Sequence, residues 1–148
     1  MNQEDRSKAE VLNDLARICH EANKKWWLDL DSSCPTCGGG GVAFGSTCRE
    51  CFGTGHPQKE RNFGELIALC HSELSEALEG HRKNKMDSHL PNRKNVEVEL
   101  ADLLIRVFDL CGGLGFDIAG ALIDKTDYNA HREDHKIENR KAQGGKAY

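Results

Sequence analysis

Residues 96–111 read VEVELADLLIRVFDLC, in which Val96, Leu100, Leu103, Leu104, Val107, Leu110 and Cys111 recur mostly at three- and four-residue intervals. That is the period of an α-helix with one apolar face, and Gly112, Gly113 and Gly115 predict where it stops. The stripe contains a misfit. In the series Val96, Glu99, Leu103, Val107, Leu110 a carboxylate takes a core-facing place, and Asp102 follows three residues on. Upstream, residues 62–83 repeat the arrangement. Leu66, Leu69, Cys70, Ala77 and Leu78 form the stripe, and Asn62 is an N-cap candidate with Glu65 three residues later. Glu73 stands inside this stripe, with Glu76 three residues further. Residues 84–95 contain Asp87, Ser88, Pro91 and Asn92 and read as the loop between these two helices.

Two more helices lie outside this pair. Residues 5–29 place Val11, Leu12, Leu15, Ile18, Cys19, Ala22 and Trp26 at helical spacing, and residues 117–131 form the last helix. The polar tail from Glu133 onward has no apolar face of its own and is expected to stay flexible or to fold over a ligand. The expected fold is all-α, about four helices in a single domain spanning residues 1–148.

Composition agrees with that class. The 148 residues are 38% hydrophobic, 30% charged and only 6% aromatic, which disfavours a large β-sandwich. Modest apolar content also predicts burial between copies, as a homodimer or homotetramer. No stretch approaches the roughly 20 apolar residues of a spanning helix, and the first 30 residues are too charged for a secretory signal. A chain without membrane contact, located in the cytoplasm, is therefore expected. A net charge of −4 argues against a surface that tracks nucleic acid.

Seven cysteines divide into two groups. Cys19, Cys70 and Cys111 stand singly in helical segments and read as core residues. Cys34, Cys37, Cys48 and Cys51 form two CxxC pairs with ten residues between them, each leading into glycines. Two such turns can direct four thiolates at one tetrahedral zinc ion, which a reducing compartment favours over two disulfides. The repeated CxxCxGxG pattern resembles the cysteine-rich hairpins of DnaJ-type chaperones. That resemblance implies a structural zinc with all four cysteines as ligands, in a knuckle over residues 32–57 between helices one and two.

Carboxylates in apolar stripes need compensation, because burying an ionised carboxylate costs several kcal/mol. Glu73, Glu76, Glu99 and Asp102 offer only oxygen, which suits Mg²⁺ or Mn²⁺; the competing reading is a solvated charged face. Lys125, Asn129 and Arg132 share one face of helix four and could grip a polyphosphate, or form a plain surface stripe. Asn23 and Trp26 could read and stack on a base, though a Trp at helical spacing is also a core candidate.

Together these motifs resemble the MazG-like all-α nucleoside triphosphate pyrophosphohydrolases. The family pattern EExxE, spacer, ExxD, then a helix with Lys, Asn and Arg stands here as SELSE at 72–76, ELAD at 99–102 and KTDYNAHR at 125–132. The resemblance implies a helical bundle in which Glu73, Glu76, Glu99 and Asp102 hold Mg²⁺ and act in catalysis. It implies that Lys125, Asn129 and Arg132 contact phosphate or sugar, and that a nucleoside triphosphate is cleaved to monophosphate and pyrophosphate in nucleotide-pool cleansing or control. Ser72 replaces the first glutamate of the pattern and cannot ligate or act as a base as a carboxylate does, so the sequence leaves the metal count and the base open. Two other functions compete. One is a zinc-knuckle module docking nucleic acid or protein, for which Arg49, Lys59, Phe44 and Phe52 are a thin set; the other is a nucleotide sensor without turnover.

Overall fold

A computed structural model of the chain describes the backbone of residues 3–132 and the side chains of residues 7–132. The polar tail expected from Glu133 onward lies outside these residues. The architecture is helical: α1 (Gln3–Asn23), a 3-10 turn (Lys24–Trp27), a hairpin of β1 (Val42–Ala43) and β2 (Ser46–Thr47), then α2 (Phe63–Arg82), α3 (Asn95–Leu114) and α4 (Ile118–His131). No described helix is long and apolar enough to cross a membrane. By packing, the chain divides into two compact units, residues 16–115 and residues 1–15 with 116–148.

In the larger unit α2 and α3 pack against each other. The Asn62 side chain accepts the Glu65 N–H at 3.1 Å and so caps α2 as its sequence predicts. The connection to α3 is closed by an antiparallel bridge between Met86 and Lys94. Inside it, Asp87 Oδ1 accepts the N–H groups of His89 and Leu90 at 2.9 and 2.7 Å, an Asx-type turn that rigidifies the loop. Gly80 on α2 leaves room for the Asn95 side chain, which a Cβ there would strike.

Two expectations need correction. First, α3 does not stop at Gly112. It runs through Gly112 and Gly113 to Leu114 and ends on Gly115 in left-handed backbone, φ 70°. The pair is needed for approach: a Cβ on Gly112 would sit 2.6 Å from His20 Cβ, and one on Gly113 would overlap the Trp27 ring. Second, the first helix ends at Asn23 and tightens into the 3-10 turn, which shifts the register of the tryptophans. Trp27 is buried and joins Leu66 and Leu110 in the core, while Trp26 is 58% exposed. Along α1 the buried line is Ala9 and Ala16, and Val11, Leu15 and Ile18 face outward.

The cysteine-rich segment, between the 3-10 turn and α2, is built as two near-equivalent halves. Cys34 N–H donates to Gly55 O at 2.8 Å and Cys48 N–H to Gly41 O at 2.9 Å. Where the halves cross, a Cβ on Gly41 would strike the Gly53 carbonyl and one on Gly55 the Gly39 carbonyl. In the other unit, Asp117 Oδ1 accepts the Gly120 N–H at 2.9 Å and caps α4, and Ala119 is buried.

Candidate functional site: a carboxylate cleft and a four-cysteine knuckle

The inward placement of Glu73 and Glu99 comes directly from the helical stripes. Both are buried, at 5% and 9% exposure, and one carboxylate oxygen each from Glu73, Glu76 and Glu99 lie within 4.8 Å of one another. Asp102, one turn beyond Glu99, lines the same cleft but stands outside this tight group. Two neighbours organise the acids. Arg106 Nε donates to Glu73 Oε1 at 2.5 Å, and Asn95 Nδ2 donates to Glu99 Oε1 at 2.7 Å.

Burial raises the pKa of Glu99, Asn95 pulls it back, and the charges of Glu76, Glu73 and Asp102 raise it further. Burial also raises Asp102, with Glu73 adding to the shift and Arg106 opposing it. The group thus carries more negative charge than its one guanidinium balances. An all-oxygen donor set of this kind fits a hard divalent cation. Ser72 donates its hydroxyl to Leu69 O at 2.8 Å, so it is satisfied within its own helix.

These carboxylates open on a cleft of about 870 Å³. Trp26, Asn23 and Arg61 line it as well. Arg61 Nη1 donates to the Trp26 carbonyl at 2.9 Å, and the Lys25 ammonium sits 4.9 Å from the Trp26 ring centre. Asn23 Nδ2 donates to Cys19 O at 2.9 Å. Lys125, Asn129 and Arg132 lie on or directly after α4, in the other unit. There Lys125 and Arg132 lie 4.7 and 5.5 Å from the Tyr128 ring centre, and Asn129 Oδ1 is a buried acceptor with no partner among the described residues.

Several cleft residues were not singled out from sequence: Asp87, Arg106 and Asp109. Arg106 and Asp109 carried a usable signal, since Glu99, Asp102, Arg106 and Asp109 follow at spacings of three, four and three and share one helical face. Asp87 carried none, because its position depends on how the loop folds back.

The second site is the knuckle. All seven cysteines are free, and Sγ atoms of Cys34, Cys37, Cys48 and Cys51 lie within 4.8 Å of one another. The pairs Cys34–Cys48 and Cys37–Cys51 are 3.9 and 3.7 Å apart. Four sulfurs about 2.3 Å from a central zinc ion form a tetrahedron with edges of about 3.8 Å. The spacing therefore fits a metal such as zinc and is far too long for disulfides. Gly41 and Gly55 donate N–H groups to Cys37 and Cys51 sulfurs, both at 3.3 Å. Burial opposes ionisation of Cys51, but the Gly55 amide leads the contacts that outweigh it and bring its thiol down to about 6. No family model, curated protein or solved structure matches this chain.

Proposed function

We propose that the chain is a Mg²⁺-dependent nucleoside triphosphate pyrophosphohydrolase of the MazG-like kind, its helical bundle interrupted by a structural zinc knuckle between the first two helices. The observation that carries this reading is the convergence of Glu73, Glu76 and Glu99 from two packed helices at the wall of a cleft that also holds an exposed tryptophan. Those three carboxylates, with Asp102 beside them, would hold Mg²⁺ or Mn²⁺. A cation bound there supplies neutralisation of phosphate charge and a lowered pKa for a water molecule.

The chain's own groups do the rest. Glu73 or Glu76 orients the attacking water and takes its proton as the new phosphorus–oxygen bond forms and the bridge between the α- and β-phosphorus breaks. Arg106, which uses Nε on Glu73, has further N–H groups for a phosphate oxygen. Trp26 offers its indole face to a base, with Asn23 beside it. Lys125, Asn129 and Arg132 are assigned phosphate or sugar contact on their chemistry: a cation, an amide and a guanidinium on one helical face. The products are a nucleoside monophosphate and pyrophosphate, consistent with cleansing or control of a cytoplasmic nucleotide pool.

Purified protein, zinc retained, incubated with each ribo- and deoxynucleoside triphosphate and Mg²⁺ should release monophosphate and pyrophosphate. Glu73→Ala and Glu99→Ala should lose that turnover while keeping their helical signal. Nucleotide binding without turnover would instead favour a sensor. We assign a homodimer or homotetramer as well, supported by the outward-facing Leu74, Leu78, Leu100 and Leu104 on α2 and α3. A single-chain mass by light scattering would remove that assignment.

A second reading is favoured by the knuckle's surface. Phe44 is wholly exposed and Phe52 two-thirds exposed, both in left-handed backbone, which suits a docking element for another macromolecule. It predicts that Phe44→Ser abolishes partner capture and leaves nucleotide turnover unchanged.

A further inference from the structure

Asp109 is a carboxylate that the hydrolytic chemistry does not use. It lines the cleft on the same face of α3 as Glu99, Asp102 and Arg106. At 1.5 Å rise per residue it stands roughly 10 Å along the helix from Asp102. Trp26, Asn23 and Arg61 line the same cleft.

Its orientation is fixed by two donors on one atom. His20 Nδ1 and Trp27 Nε1 each approach Asp109 Oδ1 at 2.9 Å. An ionised carboxylate only accepts, so His20 carries its proton on Nδ1 against it. With Oδ1 engaged twice, Oδ2 is left as an acceptor without a hydrogen-bond partner among the described residues. The side chain keeps 15% exposure and lines the cleft.

Resting on the nucleotide reading above, we infer that Asp109 is the specificity-determining residue of the cleft: Oδ2 accepts an N–H from the exocyclic amino group of a base lying against Trp26, selecting amino-bearing bases, cytosine and adenine foremost, over uracil and thymine. Uracil and thymine present a carbonyl where cytosine has its amino group. Their N3–H is flanked by two carbonyl oxygens, which would be driven against the carboxylate. Guanine can make the same single contact through its own amino group but gains no two-point clasp, because Oδ1 is already filled. The cost of facing an acceptor with an acceptor inside a partly buried site makes the discrimination tenfold or more in affinity, on the order of an unmade buried hydrogen bond.

Calorimetric binding of CMP, AMP, GMP and UMP to the full-length protein tests this without relying on turnover. The unmodified protein should bind CMP or AMP about tenfold or more tighter than UMP. Asp109→Asn should invert that preference. Trp27 and His20 hold an acceptor at the Oδ1 position, so the amide must turn its NH₂ to the cleft and would donate to a carbonyl of uracil. A residue with only a structural role would lose affinity for all four alike. Equal affinity for CMP, AMP and UMP in the unmodified protein overturns the inference, and leaves the hydrolase reading intact if triphosphates are still cleaved. Binding of none of the monophosphates overturns the inference, and cleavage of triphosphates, measured beside it, decides the hydrolase reading. Selective binding without cleavage supports the inference and overturns the hydrolase reading. If Asp109→Asn does not fold, the ratio in the unmodified protein decides.

Discussion

Phe52 and Gly38 hold equivalent places in the two knuckle turns, each directly after the second cysteine of its pair, with φ of 51° and 59°. Left-handed backbone costs a residue with a Cβ about 1–2 kcal/mol, so Phe52 is retained against its local preference. Gly55 is under a harder constraint, since its φ is 80° and a Cβ would meet the Gly39 carbonyl. Gly55→Ala should therefore destabilise the knuckle by about 1–3 kcal/mol. The expected readout is faster zinc release to a colorimetric chelator, and an unchanged release rate would contradict the cross-packed glycines. At the carboxylates the sign of the pH effect follows from raised pKa values. Burial first, then neighbouring acids, lift Glu99 and Asp102 above 4.5 and 3.8. A group with a raised folded-state pKa binds more protons folded than unfolded, so stability falls as pH rises through that window. Without added Mg²⁺, and with zinc retained, lowering the pH from neutral towards the ordinary carboxylate range should raise the melting temperature through these two groups. Mg²⁺ at the higher pH should give a similar gain. Glu99→Gln should blunt both effects, and a melting temperature indifferent to Mg²⁺ would count against a cation site.

At the scale of elements, the helical period of α2 and α3 and the Asn62 cap were legible, because local periodicity and capping chemistry set both, but Leu78, Leu100 and Leu104 of the expected stripes are exposed. The end of α3 was not. Gly112 and Gly113 look like a stop, yet a helix tolerates glycine when a neighbour needs the space, and here His20 and Trp27 need it. Gly113→Ala, a change that raises helix propensity, should accordingly destabilise the protein, by about 1–3 kcal/mol. Urea unfolding measures it, and a stabilised variant would show that Trp27 has another place to go. The face of α1 was misread for a related reason. Its large apolar residues define a stripe through Val11, Leu15 and Ile18, whereas close packing selects the small residues Ala9 and Ala16. The paired cysteines were legible because ligand spacing is a local property. Asp87 was not, because its place depends on a loop closing; the helical face of Asp109 could be read from spacing, but its partners could not, because Trp27 and His20 arrive from a distant segment.

The whole molecule combines two sites of opposite chemical character. Four soft sulfurs surround one point of the knuckle with no coordination position left over, while hard oxygens line an open cleft. The first suits a closed structural metal and the second a cation that shares its shell with water and substrate. Val11, Leu15 and Ile18 on α1 and Leu74, Leu78, Leu100 and Leu104 on α2 and α3 are exposed, and the proposed oligomer would give them surface to cover. The proposed hydrolysis breaks the bond between the α-phosphorus and the bridging oxygen. Phosphorus-31 NMR of a nucleoside triphosphate turned over by the protein with Mg²⁺ in ¹⁸O-water would follow it directly. The account predicts monophosphate and pyrophosphate in equal amounts, one ¹⁸O incorporated per cleavage, and no orthophosphate. Diphosphate with orthophosphate, or an unaltered triphosphate, would contradict it.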